Sequence, residues 1–353
     1  MKIASIVGAR PNFIKLAPVS REIRKKMEEV IIHTGQHYDY EMDKIFFQEL
    51  GIPDPDYHLG IGSGTHGSQT GEMLKAIEEI LLKEQPDIAL VFGDTNTTLA
   101  GALAAAKLYI PVAHVEAGLR SFNKKMPEEV NRVLVDHCSD LLFCPTKTAV
   151  DNLRKESIVN GVFQTGDVML DILQECIKIA EKRSHIMEEL KLLPKDYCLV
   201  TVHRAENTDD MARLRAIVNA LADIGDLVFP CHPRTEKQLR VAGLWDMLGR
   251  RVKVIKPLGY LDMLLLEKNA RVILTDSGGV QKEAYMLKVP CVTIRDETEW
   301  VETTADGWNV LTGADTIGII RAIDRNWPDE SQWAVFGEGT ASIRIVEALI
   351  SGL

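Results

Sequence analysis

Strand-like apolar runs alternate with helical ones along almost the whole chain, and this order constrains the fold more than any other feature. In the first half the strand-like runs fall at 3–7, 30–33, 88–92, 111–115 and 141–143. Between and after them come helical patterns at 12–27, 40–50, 68–83, 96–108, 127–137 and 146–155. Strands joined through helices must run parallel, with helices on both faces of the sheet, so this half reads as one doubly wound α/β domain. A long charged helical stretch, 177–190, and Leu193-Pro194-Lys195-Asp196 then read as an interdomain connection. Beyond it the alternation restarts, with strand-like runs at 198–202, 228–230, 252–255, 272–274, 291–294 and 309–311. Helical patterns at 211–223, 235–241, 260–268 and 280–287 separate most of them. The expectation is two Rossmann-like domains, 1–170 and 171–338, with a final helix near 339–350. A chain of 353 residues is long enough for both to have full cores.

Charge and hydropathy narrow the class. Lys and Arg number 41 against 51 Asp and Glu, a net charge of −10, which argues against a nucleic-acid partner or a polybasic membrane module. A local basic cluster for a small anion remains compatible with that balance. The opening run 3–7 is too short for a signal-peptide core, and the most apolar segment, 99–115, is interrupted by Lys107 and Pro111. A soluble, cytoplasmic protein with no membrane partner is expected. The six cysteines include no Cys-x-x-Cys pair and read as free thiols. His33 and His37 have a metal-ligand spacing, but Gly35 and the preceding β-branched run put them at a strand end, so no metal is expected there.

The stretch 273–284, Ile-Leu-Thr-Asp-Ser-Gly-Gly-Val-Gln-Lys-Glu-Ala, reads as a strand, a tight turn and a helix. Ser277, Gly278 and Gly279 would stand where the helix opens. There unpaired N–H groups and the helix dipole favour an anion, and glycines let a phosphate come close. Glu283 lies about one and a half turns in, where a carboxylate could take two ribose hydroxyls. An ordinary strand-turn-helix corner is the plain alternative.

In open parallel sheets ligands bind beyond the carboxyl ends of the strands, and polar residues collect there in this sequence. Arg10 follows the first strand and Lys15 lies in the next helix's first turn, where a cation opposes the helix dipole and so suits a ligand better than the helix. Asp94 follows 88–92, where it could equally cap the next helix; Glu116 follows 111–115. Two carboxylates at one rim are costly unless chemistry or a ligand uses them. Glu128 sits in Pro127-Glu128-Glu129, which the rules of helix starts explain without any chemistry. In the second half His203 and Arg204 follow 198–202 and suit a phosphate, with a buried, satisfied histidine as the alternative; His232-Pro233-Arg234 repeats the idea more weakly. Together these residues suggest an anion held between the two domains. Gly8-Ala9-Arg10-Pro11 matches neither the dinucleotide glycine fingerprint nor the Walker lysine loop, so a bound nicotinamide is unsupported.

Six segments occur in order: Gly8-Ala9-Arg10-Pro11-Asn12-Phe13-Ile14-Lys15, Phe92-Gly93-Asp94-Thr95, His114-Val115-Glu116-Ala117-Gly118-Leu119-Arg120, Pro127-Glu128-Glu129-Val130-Asn131-Arg132, His203-Arg204-Ala205-Glu206-Asn207, and 275–283. In this order, nearly end to end, the chain resembles the non-hydrolysing UDP-N-acetylglucosamine 2-epimerases. The resemblance implies a GT-B fold, a C-terminal helix (about 339–353) returning to the first domain, a UDP-sugar substrate in an interdomain cleft, and a homodimer. It implies inversion at C2 of a UDP-N-acetylhexosamine by loss and re-addition of UDP, with no metal or redox cofactor. Carried over by motif, Asp94, Glu116 and Glu128 look like acid/base carboxylates. His203 and Arg10 look like diphosphate ligands at the reacting centre, with Lys15 a supporting cation. Arg204 also stands in the His203 segment as a substrate-binding candidate. Ser277, Gly278 and Gly279 look like the phosphate turn and Glu283 the ribose ligand.

Two departures from the pattern stand out. Trp300 occupies a place where many relatives have arginine, a variant that resembles the branch acting on UDP-2,3-diacetamido-2,3-dideoxyglucuronate and also some archaeal enzymes. The segment 60–69 differs from the one that helps hold an activating UDP-sugar in bacterial relatives, so allosteric control is unsupported. A GT-B glycosyltransferase, which needs one base and an acceptor, is the competing enzyme class. A hydrolysing epimerase, or a UDP-sugar-binding protein without chemistry, would share the binding residues.

Overall fold

The protein is described by a computed structural model that covers residues 1–35, 47, 50–328 and 334–352, with the side chain of Arg10 outside that description. His37 and most of the helix expected at 40–50 also lie outside the described residues. The chain forms two compact units, Met1–Glu175 with Ala334–Leu353, and Cys176–Trp333.

In unit 1 the strands are β1 (Lys2–Val7), β2 (Glu28–His33), β3 (Tyr57–His58), β4 (Ile88–Phe92), β5 (Val112–Val115), β6 (Leu141–Cys144) and β7 (Val162–Gln164). All are parallel, in the order β3-β2-β1-β4-β5-β6-β7. Helices α1 (Arg10–Ile23), α2 (His66–Glu84), α3 (Asn96–Lys107), α4 (Pro127–Cys138) and α5 (Lys147–Lys155) connect them. Because helices cover both faces, the central strands are buried on both sides and read as largely apolar runs, with buried Ser5 in β1 and His114 in β5 among them. Met73 and Ile77 of α2 and Ala100 and Ala104 of α3 pack on Ala4, Ile32 and Val91 to form one core layer. The edge strands β3 and β7, of two and three residues, are too short to show a pattern in sequence and were not expected.

Helix α6 (Val168–Arg183) is followed by a separate short helix, α7 (Ile186–Glu189), where one continuous helix was expected. The Ser184 hydroxyl accepts the Ile186 N–H at 3.3 Å and donates to Asp262 at 2.6 Å, so this side chain competes with the helical ladder and splits it. The boundary between the units falls within α6. Leu193-Pro194-Lys195-Asp196 is bonded into unit 2 through the Lys195 N–H and the Asn269 carbonyl at 2.7 Å.

Unit 2 contains β8 (Cys198–Thr201), β9 (Leu227–Pro230), β10 (Lys253–Ile255), β11 (Val272–Thr275), β12 (Cys291–Thr293) and β13 (Asn309–Leu311), parallel in the order β10-β9-β8-β11-β12-β13. Its helices are α8 (Ala205–Thr208), α9 (Met211–Asp223), α10 (Pro233–Val241), α11 (Trp245–Gly249), α12 (Tyr260–Asn269), α13 (Gly278–Met286), α14 (Val301–Ala305) and α15 (Thr316–Ile323). Leu214, Ile217 and Leu221 of α9 and Ile319 of α15 close the core over Val200, Leu274 and Val292. The last helix, α16 (Ala341–Ser351), belongs to unit 1 and packs on α1. Its first N–H groups, of Ala341 and Ser342, are taken by the Asp171 carboxylate at 3.1 and 2.8 Å.

In both sheets the strand order reverses at one place, between β1 and β4 in unit 1 and between β8 and β11 in unit 2. Diverging connections leave a crevice at such a switch point, beyond the carboxyl ends of the two strands.

Candidate active site

The first cluster lies at the carboxyl ends of β1, β4 and β5. Phe92 and Val115 are register partners in adjacent strands, so the residues that follow them, Gly93-Asp94 and Glu116, come out side by side. Gly93 adopts φ +66°, and a Cβ there would lie 2.8 Å from Lys15 Nζ and 3.3 Å from Glu116 Oε2. Only a glycine lets the backbone come this close to both. Lys15, from α1, reaches over it to form a buried ion pair with Glu116, with side chains 9% and 6% exposed. Lys15 was expected to support an anion; its partner in the structure is a carboxylate. Asn12, one turn earlier, donates to the Phe92 carbonyl at 2.8 Å and accepts from the Ala9 N–H at 3.1 Å, tying the β1 and β4 loops together.

Glu116 has φ +76°, in the left-handed region. A non-glycine residue held there is strained by about 1–3 kcal/mol, so the surroundings must over-determine it. They do: the N–H groups of Glu116 and Ala117 both donate to the Phe143 carbonyl at 3.1 Å, and the Gly118 N–H donates to Asp136 Oδ2 at 3.1 Å.

Helix α4 organises the rest of this cluster. Proline at its first position and Glu128 and Glu129 in its first turn suit a helix start. One face then serves the loops. Glu129 accepts the N–H groups of Ser121 and Phe122 at 2.9 and 2.8 Å, and Asn131 donates to the Asp94 carbonyl at 2.9 Å. Arg132, side chain 2% exposed, pairs with the Asp94 carboxylate. Glu128 stays half-exposed and forms no ion pair among the described residues. Asp94, Glu116 and Glu128 are therefore in three electrostatic settings: paired with a guanidinium, paired with an ammonium, and unpaired at a helix N-terminus.

The second cluster lies at the carboxyl ends of β8 and β11 in unit 2. Asp276 is fully buried after β11, and its carboxylate accepts the N–H of His203 at 3.1 Å, the N–H of Arg204 at 3.0 Å and the Asn207 side-chain amide at 3.1 Å. Its Oδ1 also stands 3.5 Å from His203 Nδ1, and the His203 side chain is 44% exposed. The turn after β8 is thus pinned to the end of β11 with the other edge of the imidazole outward. Arg204 is half-buried and forms no ion pair among the described residues.

Helix α13, like α12 and α14 on either side of it, opens without a side-chain cap bond. Asp210 caps α9 and Asp315 caps α15 through their side chains, whereas Ser277 makes no side-chain cap bond. At such an opening the helix dipole favours an anion. A Cβ on Gly278 would lie 2.6 Å from Glu299 Oε1 and 3.4 Å from Trp300 Nε1. Trp300 itself is 3% exposed, with Lys282 Nζ 4.0 Å from its ring centre. The residue that departs from the family pattern is therefore buried against the Gly278 turn and Lys282. Glu283 is buried and accepts the Tyr260 hydroxyl at 2.9 Å.

The sequence reading missed Asp276, Asn12, Arg132 and Asp136. Asp276, Asn12 and Arg132 all lie inside the six segments that carry the resemblance, and Asp276, just before the turn, is placed to reach the backbone of an adjacent strand end. Asn12, Arg132 and Asp136 act through pairings that no local spacing announces. All six cysteines are free thiols, and burial pushes those of Cys231 and Cys291 up to about 12. Among the described residues no group of three or more His, Cys, Asp or Glu could hold a metal ion, and no helix is long and apolar enough to cross a membrane.

Comparison with known proteins decides the family. The family model described as UDP-N-acetylglucosamine 2-epimerase matches residues 21–350. The chain belongs to the UDP-N-acetylglucosamine 2-epimerase family. Within it, the chain is 50% identical to the UDP-N-acetylglucosamine 2-epimerase of Methanocaldococcus jannaschii over 369 residues, covering 100% of both. It is 49% identical to the UDP-2,3-diacetamido-2,3-dideoxy-D-glucuronate 2-epimerase of Pseudomonas aeruginosa over 365 residues, covering 99% of each. The crystal structure of the M. jannaschii epimerase in complex with UDP-GlcNAc and UDP matches with a TM-score of 0.92 at 49% identity, over 100% of both chains. The two doubly wound units are those of a GT-B-like epimerase fold.

Proposed function

We propose that the chain is a non-hydrolysing epimerase that inverts C2 of a UDP-N-acetylhexosamine, converting UDP-GlcNAc to UDP-ManNAc. The observation that carries this reading is the trio Asp94, Glu116 and Glu128 at the ends of β4, β5 and the start of α4, in a chain half identical to a UDP-GlcNAc 2-epimerase. The C2 proton of the intact sugar has no carbonyl beside it and is not acidic. Departure of UDP from C1 creates oxocarbenium character there and makes the neighbouring proton removable, giving a glycal. UDP then adds back as a proton is delivered to the opposite face of C2. Protons moving on two faces call for more than one carboxylate, each in its own electrostatic setting.

In this reading unit 2 takes the diphosphate. The N–H groups of Gly278 and Gly279, the outward edge of His203 and the guanidinium of Arg204 stabilise the charge that grows on the leaving UDP; the resemblance also gives Arg10 as a diphosphate ligand. Glu283 receives the ribose hydroxyls. Lys15 aims Glu116 through their ion pair, and so serves the sugar's chemistry more directly than the phosphates. The same chemistry on the diacetamidoglucuronate nucleotide is the second reading, favoured by the P. aeruginosa relative at nearly the same identity. The homodimer and the cytoplasmic location implied by the resemblance complete the proposal.

Incubation in D2O with UDP-GlcNAc and, in parallel, its diacetamidoglucuronate analogue tests it. Proton NMR should show deuterium entering C2 and a C2-inverted UDP-sugar appearing. Free N-acetylmannosamine with UDP would instead indicate a hydrolysing enzyme, and no deuterium from either substrate would sink the reading.

A further inference from the structure

Below the two loops that carry Asp94 and Glu116 lies a buried polar chain that the proposed reaction does not itself use. His114, at the end of β5, is fully buried, with Nδ1 2.7 Å from Asp136 Oδ1 and Nε2 2.7 Å from the Gly93 carbonyl. Its two ring nitrogens thus face two acceptors, a carboxylate and a carbonyl. Asp136, from α4 and 1% exposed, also accepts the Gly118 N–H at 3.1 Å and Arg120 at 2.6 Å. Arg120 in turn makes two bonds of 2.7 Å to Glu156. Thus one carboxylate grips the loop after β5 at two points on either side of strained Glu116. Through His114 it also holds the Gly93 carbonyl, next to Asp94. Ordinary core packing would not need a charge here: burying Asp136 is unfavourable unless each of its oxygens is answered, as both are.

We propose that His114 and Asp136 are positioning residues for the epimerisation, fixing the loop of Asp94 and the loop of Glu116 to one another so that both carboxylates stay in register with C2. The inference rests on the proposed C2 chemistry. It assigns to the His114–Asp136 pair an effect on the proton-transfer step and none on capture of UDP, whose proposed ligands, apart from Arg10, are in unit 2.

The test compares His114→Asn with His114→Gln, using whichever of UDP-GlcNAc or its diacetamidoglucuronate analogue the wild-type protein epimerises. The Asn amide can replace Nδ1 toward Asp136 but does not reach Gly93, while the Gln amide can replace Nε2 toward Gly93. His114→Asn should lower kcat for C2 exchange in D2O about tenfold or more, with KM and the Kd for UDP within about twofold of wild type. His114→Gln should turn over at least about threefold faster than His114→Asn. Should the Asn variant not fold, Asp136→Asn carries the same kcat and UDP-binding measurement. A kcat within twofold of wild type in His114→Asn, or in Asp136→Asn if that variant is needed, overturns the inference, as does a parallel loss of UDP affinity. A wild-type protein that exchanges neither substrate overturns the epimerase reading and this inference together.

Discussion

Lys15 and Glu116, 101 residues apart in the chain, form a buried ion pair across Gly93, at the place where the β1, β4 and β5 loops meet. Lys15→Met removes the cation and leaves the buried Glu116 carboxylate without that ammonium. Breaking a buried pair on one side costs about 3–5 kcal/mol. The expected outcome is a lower melting temperature together with loss of C2 deuterium exchange. Glu116→Gln, which keeps the shape and strands the Lys15 ammonium in turn, should also lose exchange and melt lower. Differential scanning calorimetry and NMR read the two effects separately, and unchanged melting temperatures in both variants would contradict the pairing.

Asp276 makes a prediction about binding alone. Its carboxylate holds the His203 and Arg204 N–H groups and the Asn207 amide. Asp276→Asn turns an acceptor that answers three donors into a group with only one accepting atom. The His203 turn should loosen, and affinity for UDP should fall about tenfold, a loss of roughly 1.4 kcal/mol. Titration calorimetry with UDP checks this, with unchanged affinity as the contrary result.

Gly278 lies too close to Glu299 and Trp300 to carry a side chain without movement. Gly278→Ala should therefore push α13's first turn off its anion-binding geometry and weaken UDP binding. Trp300→Arg should not convert one substrate preference into another. It would place a second cation beside buried Lys282, whose ammonium now lies over the Trp300 ring, so the expected result is destabilisation of unit 2. A folded Trp300→Arg protein with a changed ratio of turnover on the two UDP-sugars would show that the residue reads substrate after all.

Much of this arrangement could be read in the amino-acid order, for a physical reason. Strands buried on both faces are mostly apolar, so β1, β4, β5, β8 and β11 stand out as runs, and the polar residues just past them are few enough to collect by eye. Asp94, Glu116, His203 and Ser277 stand out as candidates that way. What stayed hidden was who holds whom. Lys15 read as an anion ligand because a cation at a helix start opposes the dipole; that it does so to meet Glu116 depends on a crossing between α1 and β5 that no local pattern encodes. Helix α4 read as a well-started helix, and its Asn131, Arg132 and Asp136 gave no sign that they brace two loops, since side-chain pairings across elements have no period. Edge strands β3 and β7 were too short to show one.

Glu267 gives a pH-dependent prediction. It is 1% exposed on α12, and among the described residues neither of its carboxylate oxygens has a hydrogen-bond partner. Burial, with the nearby charge of Glu283, raises its pKa well above the usual carboxylate range. The folded protein thus keeps a proton that the unfolded chain releases near an ordinary pKa of about 4.3. The sign follows by linkage: the stabilisation is fully present below that ordinary value and is lost as pH rises through the folded-state value. Glu267→Gln carries no titrating group, so it removes this slope. Between about pH 5 and 7 the variant should gain on wild type by up to about 1.4 kcal/mol per pH unit while Glu267 remains protonated in the fold. Urea midpoints of the two proteins, measured across that range, should diverge as pH rises. Parallel curves would mean that Glu267 ionises in the folded protein much as it does in the unfolded chain.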